Sequence, residues 1–197
     1  MTRLLGLLVV AALALGPSSA AVATSAAPPA ASERAHARTA PTRTQWLADV
    51  KAAMQGSRGY VKARVAAASP GETLAINFDI DNTVIATYYD GGGPIPLMTR
   101  FSRLLARQGV AMVFNTGRSA NQRDRTIKQL TRAGFPVAGL CLRNQGETLP
   151  AGKQRCRDSF IAEGYTLIAN VGNRSTDFTG TGYERAFKLP NYGNRLG

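Results

Sequence analysis

The chain has 197 residues, a formal net charge of +12 and 44% hydrophobic residues, enough for one α/β core. Its only histidine, His36, lies in a stretch rich in alanine and proline, which excludes a Ser-His-Asp hydrolase or a histidine-ligated zinc enzyme. The basic charge favours anionic substrates and is also compatible with binding to an anionic membrane surface. No basic run is interleaved with aromatic residues, so we do not expect nucleic-acid binding.

The first 23 residues are typical of a cleavable signal peptide. A basic start at Arg3 precedes an apolar stretch from Leu4 to Gly16, which is too short to span a bilayer. The sequence therefore predicts a protein that is secreted or held in the cell envelope. Residues 24–41 are rich in Ala, Pro, Ser and Thr without apolar periodicity, which predicts a disordered linker and places the globular domain at 42–197.

Helical stripes and apolar runs alternate along the globular domain. Helices are expected at residues 46–54, 60–65, 97–109, 121–134 and 152–164, strands at 74–83, 110–119, 135–142, 165–171 and 185–189, and a loop at 86–94. This alternation predicts an α/β fold, a Rossmann-like open parallel sheet with helices on both faces. The spacers leave no room for a large cap domain, so we expect an open site.

Asp79 and Asp81 follow the first strand and are separated by one residue. Because side chains alternate along a strand, both carboxylates face the same side at its carboxyl end, where open α/β sheets bind ligands. Neighbouring carboxylates repel one another, and a hard cation such as Mg²⁺ removes that conflict. The pattern favours a magnesium site, although an acidic turn or the Asp-Xaa-Asp of sugar-nucleotide transferases has the same letters.

Thr116 and Gly117 end the second strand, just before a helix. A hydroxyl followed by exposed amides at a helix start can cradle an anion. Taken alone, the stretch is explained equally well by a Ser/Thr helix cap.

Four stretches stand in an order that resembles the haloacid dehalogenase-like superfamily of phosphohydrolases, and within it the small secreted acid phosphatases of the class B type. The stretches are Phe78-Asp79-Ile80-Asp81-Asn82-Thr83, Phe114-Asn115-Thr116-Gly117-Arg118, Lys153 and Gly172-Asn173-Arg174-Ser175-Thr176-Asp177. The resemblance covers residues 72–191 and implies a Mg²⁺-dependent phosphomonoesterase that acts on a small phosphorylated substrate through an aspartyl-phosphate.

The resemblance also implies the role of each site residue. Asp79 would be the nucleophile, and Asp81 would protonate the leaving oxygen and then activate water. Residues that would bind the phosphoryl group are Thr116, the Gly117 amide and Lys153. The Mg²⁺ shell would contain the Asp79 carboxylate, the Asp81 backbone carbonyl and Asp177.

Three other basic residues, Lys128, Arg157 and Arg174, are candidates for contact with the substrate or with Lys153. Lys128 is the competing candidate for the lysine, but it falls inside a predicted helix away from any strand end, so a solvated helix face explains it better. Arg157 could support Lys153 from the same helix face, since it lies four residues further on. Arg174 either reaches a substrate phosphate or lies on the surface.

Asn173 stands where many members of the superfamily carry an acidic residue directly after the glycine. Its amide oxygen can still bind a metal but brings no charge. The motif is also similar to that of lipin-type phosphatidate phosphatases. A lipid phosphatase and a non-catalytic phosphate- or metal-binding protein therefore stay as alternatives.

Cys141 and Cys156 are the only cysteines. An even count in an exported protein predicts a disulfide between them, which would tether the Lys153 segment to the third predicted strand.

Overall fold

Residues 40–196 are described by the computed structural model, so the predicted signal peptide and residues 24–39 of the predicted linker lie outside the described residues. The strands are β1 Thr73–Phe78, β2 Ile85–Ala86, β3 Gly93–Pro94, β4 Ala111–Ser119, β5 Gly139–Arg143, β6 Tyr165–Gly172 and β7 Arg185–Lys188. The helices are α1 Arg43–Ala53, α2 Ser57–Ala66, α3 Pro96–Arg107, α4 Arg123–Arg132 and α5 Leu149–Ala162. Short 3₁₀ turns lie at Ala120–Gln122 and Ser175–Asp177.

The main sheet has five parallel strands in the order β5-β4-β1-β6-β7. β1 is central, and its last residue, Phe78, is aligned with Phe114 of β4 and Val171 of β6. The chain builds outward from β1 to β4 and β5, then returns to the other side of β1 to form β6 and β7. This reversal leaves a crevice beyond the carboxyl end of β1, where open α/β sheets bind ligands.

The two faces of the sheet are covered by separate hydrophobic clusters. On one face, Phe78 and Phe114 pack with apolar residues of α1, α2, α3 and α4. On the other face, Val113 and Leu167 pack against Phe160 of α5, which covers that side. Alternate strand residues thus point to opposite helical layers, and the predicted Rossmann-like sheet with helices on both faces is confirmed.

The strand predicted at residues 135–142 is shorter than expected, since β5 begins at Gly139. Pro136 has no N–H to donate to a sheet ladder, which disfavours strand structure there. Phe135 is nevertheless buried, packing against the core directly after α4. The apolar run therefore predicted the burial of Phe135 correctly, but it predicted strand pairing correctly only from Gly139 onward.

The predicted loop at 86–94 contains a small antiparallel hairpin, in which Ile85 pairs with Pro94 and Ala86 with Gly93. This hairpin is the only strand structure between β1 and α3 in the described chain, and no large cap domain is present there. The helix predicted from residue 152 begins earlier, at Leu149, because Thr148 caps it by accepting a hydrogen bond from the Ala151 amide at 3.4 Å. Lys153 therefore lies in the second turn of α5 rather than at its start.

Cys141 of β5 and Cys156 of α5 form the predicted disulfide, which spans 15 residues. The bond attaches the helix that carries Lys153 to an edge strand of the sheet. Within residues 40–196, no helix combines the length and apolar character needed to cross a membrane.

Candidate active site

Asp79 lies directly beyond the end of the central strand β1. Its amide donates to the carbonyl of Val171 at 2.8 Å, which continues the pairing with β6 past the last strand residue. The residue is 8% exposed, and its carboxylate accepts from Lys153 Nζ at 2.7 Å and Thr83 Oγ1 at 3.0 Å. Burial, together with the negative charge of Asp177, outweighs Lys153 and raises the pKa of Asp79 to about 6.

Lys153 joins the elements of the site. Its ammonium group lies 2.7 Å from Asp79 Oδ1 and 2.8 Å from Asp177 Oδ1, and donates to the backbone carbonyl of Asn115 at 2.6 Å. Although burial opposes its charge, these two carboxylates raise the pKa of Lys153. Two of its three N–H donors have acceptors, Asp79 and Asn115, while the contact with Asp177 is an ion pair in which Asp177 Oδ1 accepts no hydrogen bond.

Lys128, the competing lysine, lines a different cavity, formed by α4 and the β3 segment. It has no place in the cluster around Asp79.

Asp81 is held by an arginine to which the sequence assigned no role. Arg118 donates to both carboxylate oxygens of Asp81, from Nε at 2.9 Å and from Nη2 at 2.7 Å. Thr87 Oγ1 donates a further hydrogen bond at 2.7 Å. Despite partial burial, these donors hold the pKa of Asp81 below its ordinary value.

Arg118 is itself positioned by α4. Its Nη1 donates to Gln129 Oε1 at 2.8 Å and to Thr126 Oγ1 at 3.2 Å. The guanidinium group is thus fixed on one side by the helix and presents its other edge to Asp81. Such a bidentate contact fixes orientation as well as charge.

The stretch after β6 is folded around Asp177. Its Oδ2 accepts from the Arg174 amide at 2.9 Å, and Oδ1 faces Lys153. A Cβ added to Gly172 would lie 2.4 Å from Asp177 Oδ2, so only glycine lets the carboxylate come this close to the strand end.

Arg157 does not contact Lys153, contrary to the expectation that it supports that side chain. Its guanidinium donates to the backbone carbonyls of Asp177 at 3.0 Å and Thr181 at 2.7 Å, and also to Thr179. Burial lowers the pKa of Arg157. The residue therefore supports Asp177 from beneath, because its donors fix the loop that carries this carboxylate.

A cavity of about 330 Å³ brings most of the predicted site together. The side chains and backbone that line it belong to Asp79, Asp81, Gly117, Arg118, Arg143, Leu149, Lys153, Arg174, Thr176 and Asp177. Thr116 does not line the cavity. It is 2% exposed, and its hydroxyl accepts from the Arg118 amide at 3.2 Å, so it helps to hold the last residues of β4 in place.

Asn173 is buried and lies outside the lining of this cavity; it lines a second cavity, together with residues of α1 and of the segment 188–194. Among the described residues, neither its Oδ1 nor its Nδ2 has a hydrogen-bond partner. A buried amide without partners is costly, and an oxygen-binding cation would satisfy the carbonyl oxygen. The unpaired oxygen fits a site for a divalent cation, although no three His, Cys, Asp or Glu side chains of residues 40–196 converge as a ready-made metal cluster.

The fold and the cavity fit an α/β phosphohydrolase of the haloacid dehalogenase-like (HAD) type, and comparison with known proteins gives the same class. The model of the HAD superfamily, subfamily IIIB (acid phosphatase), matches residues 90–195, more than half of the chain. The chain belongs to this family. Asp79 and Asp81 lie before the matched range, so their place in the site rests on the geometry described above.

The chain is 34% identical to acid phosphatase 1 of Solanum lycopersicum over 88 residues, 42% of this chain and 34% of that protein. It thus spans about a third of the length of this relative. A crystal structure of the class C acid phosphatase from Bacillus anthracis with tungstate bound has a TM-score of 0.63 at 21% identity, covering 76% of this chain and 79% of the other. A second structure of the same Bacillus anthracis enzyme gives a TM-score of 0.61 at 20% identity, with the same coverage.

Proposed function

We propose that the protein is a phosphomonoesterase that requires Mg²⁺ and acts through an aspartyl-phosphate on Asp79. One observation carries the proposal. A buried carboxylate at the tip of the central strand contacts Lys153, which also contacts Asp177, and all three line one cavity. An anionic ester can approach such a carboxylate only where cations offset the charge, and the cavity supplies them.

In the first half of the reaction, an Asp79 oxygen attacks phosphorus and the bond to the leaving oxygen breaks. Lys153 lies beside the nucleophile and offsets charge on the phosphoryl oxygens, while the Gly117 backbone faces the same cavity. Asp81, at the mouth, gives its proton to the leaving oxygen. The products are an alcohol and the acyl phosphate on Asp79.

In the second half, water attacks the phosphorus of this acyl phosphate. Asp81, now a carboxylate held by Arg118, takes the proton of the water. The bond between phosphorus and the Asp79 oxygen breaks, which releases inorganic phosphate and restores the nucleophile. The proton on Asp81 then serves the next substrate.

The residues that would hold Mg²⁺ are Asp79, Asp177, Asn173 and the backbone carbonyl of Asp81. Once bound, the ion would polarise the phosphoryl group and offset its charge. The Asn173 oxygen, which has no partner among the described residues, supports a cation here. So does the pKa of Asp79, which burial and the charge of Asp177 raise although Lys153 lies beside it, because the lysine alone does not offset the negative charge of the site.

The test is hydrolysis of an aryl phosphate by the wild type, with and without chelator, and by Asp79→Asn. Exposed Asp124 on α4 offers a matched control, Asp124→Asn. We expect turnover that a chelator abolishes and Mg²⁺ restores, a loss of at least about a thousandfold in Asp79→Asn, and wild-type rates in the control. Full activity in Asp79→Asn would refute the proposal. Activity that a chelator does not change would contradict the proposed requirement for Mg²⁺.

We also propose that the protein is exported and loses its signal peptide at about residue 23. The basic start and short apolar stretch support this proposal. Sequencing the amino terminus of protein from the producing cells should give a chain that begins near Thr24. An intracellular protein that retains Met1 would contradict it.

A further inference from the structure

Two arginines line the active-site cavity without a partner of their own. Arg143 is the last residue of β5, and Arg174 follows β6 by two residues. Each is partly exposed, and among the described residues neither side chain donates a hydrogen bond or forms an ion pair. Glu147 forms its ion pair with Arg155, at 2.7 Å from Nε, and Arg143 acts on it only through a smaller electrostatic contribution that also lowers the pKa of Glu147.

The other two basic groups of the cavity are fully engaged. Lys153 contacts Asp79 and Asp177, and Arg118 forms a bidentate pair with Asp81. The three acidic side chains of the lining thus already have cationic partners. The proposed reaction therefore gives no role to Arg143 or Arg174.

The charge of the cavity leads to the same conclusion. Its lining holds four basic and three acidic side chains, which leaves one positive charge. A divalent cation and the phosphoryl dianion of a monoester offset one another, so the surplus remains when both are bound. A second anionic group on the substrate would balance it.

Because the cavity is small, a second anionic group of the substrate would lie close to the ester bond that is cleaved. A cavity of about 330 Å³ is at the small end for ligand sites. Because a guanidinium fork binds phosphate and carboxylate alike, either group could be the second anion.

We propose that Arg143 and Arg174 determine specificity by binding a second phosphate or carboxylate, so that the preferred substrates are small phosphate esters with another anionic group nearby. The inference rests on the proposed phosphatase function, but it concerns recognition and leaves the chemical step unchanged. In this proposal neither arginine contacts the phosphoryl group that is transferred.

The test compares glycerol 3-phosphate with 3-phosphoglycerate, which differ by a hydroxymethyl group against a carboxylate. We expect wild-type kcat/KM to favour 3-phosphoglycerate by about tenfold or more, since charge-assisted hydrogen bonds to a buried anion have this effect. In Arg143→Gln and in Arg174→Gln, this ratio should fall about tenfold, mainly through KM. In the control Arg100→Gln, on the exposed part of α3, the ratio should stay as in the wild type.

A wild type without preference would overturn the proposal, and so would an unchanged ratio in both variants. An equal loss for the two substrates would mean that the arginines bind the scissile phosphoryl group, which also overturns it. Calorimetric dissociation constants of both compounds for Asp79→Asn protein, with and without Arg143→Gln, give the same ratio in the absence of turnover. If the wild type hydrolyses neither compound, the proposed function fails on its own, and the binding ratio still decides this inference.

Discussion

Lys153 lies within 2.8 Å of two buried carboxylates, so replacing it leaves negative charge without a counter-ion. We predict that Lys153→Met loses catalysis and is destabilised by about 3 kcal/mol or more near neutral pH, since breaking a buried ion pair strands the remaining charge. The loss should shrink on acidification. Asp79 has a folded pKa of about 6, above its ordinary value, so protonation favours the folded state as pH falls through this range.

Urea unfolding of the wild type and Lys153→Met, each at neutral and at mildly acidic pH, measures this effect. A stability difference that stays the same at both pH values would show that charge is not the cause.

Arg118 controls the protonation of Asp81 in the proposed mechanism. Its hydrogen bonds hold the pKa of Asp81 low, so Arg118→Gln should let this pKa rise towards its ordinary value. Because the general acid must carry a proton, the basic limb of the pH profile of kcat/KM should move to higher pH. Arg118→Lys keeps the charge but loses the fork and should give a smaller displacement. A basic limb that does not move in Arg118→Gln would exclude Asp81 as the acid.

At the scale of elements, the loop after β6 depends on Gly172. A Cβ there would lie 2.4 Å from Asp177 Oδ2, so Gly172→Ala should displace this carboxylate and lower kcat/KM by about a hundredfold. Gly59 in α2 is the matched control, because a Cβ there meets nothing within 4 Å. Gly59→Ala should keep full activity and stabilise the protein by about 0.5 to 1 kcal/mol, as alanine does inside helices. Equal activity of the two variants would contradict the assigned role of Gly172.

Elements whose signals are local could be predicted from the sequence. The end of β1 just before two carboxylates and the polar residues Thr116 and Gly117 in the last part of β4 are visible in the sequence, because strand period and polar strand ends are properties of short stretches. The Cys141–Cys156 bond was predictable from the even cysteine count taken together with the predicted export. Pro136 disfavours strand structure before Gly139, but the apolar residues around it led to a strand being predicted from residue 135.

Contacts between distant parts of the chain could not be predicted in the same way. The Arg118–Asp81 pair joins residues 37 apart, and the sequence gives no sign that this arginine turns towards the acid rather than towards solvent. The placement of Arg143 in the cavity depends likewise on the order of strands, which sets β5 beside β4. The sequence predicts that Thr116 binds the phosphoryl group; the structure shows a buried residue outside the cavity lining whose hydroxyl accepts from the Arg118 amide, and its contact with the phosphoryl group stays a prediction.

For the whole molecule, the net charge of +12 predicts attraction of anionic substrates and weak association with anionic membranes. The first property agrees with the surplus of basic groups in the cavity. The second, and the phosphatidate alternative that goes with it, stay predictions. A preference for phosphatidate vesicles over soluble esters would favour the lipid alternative.

The family match begins at residue 90, after the two aspartates on which the mechanism depends. The central claim is therefore that the Asp79 carboxylate forms a bond to phosphorus. Acid quenching during turnover, followed by peptide mass spectrometry, tests it most directly. We predict a phosphoryl group on the peptide of β1, located at Asp79 and missing from Asp79→Asn. Phosphoryl transfer to another residue, or turnover by Asp79→Asn at the wild-type rate, would contradict the account.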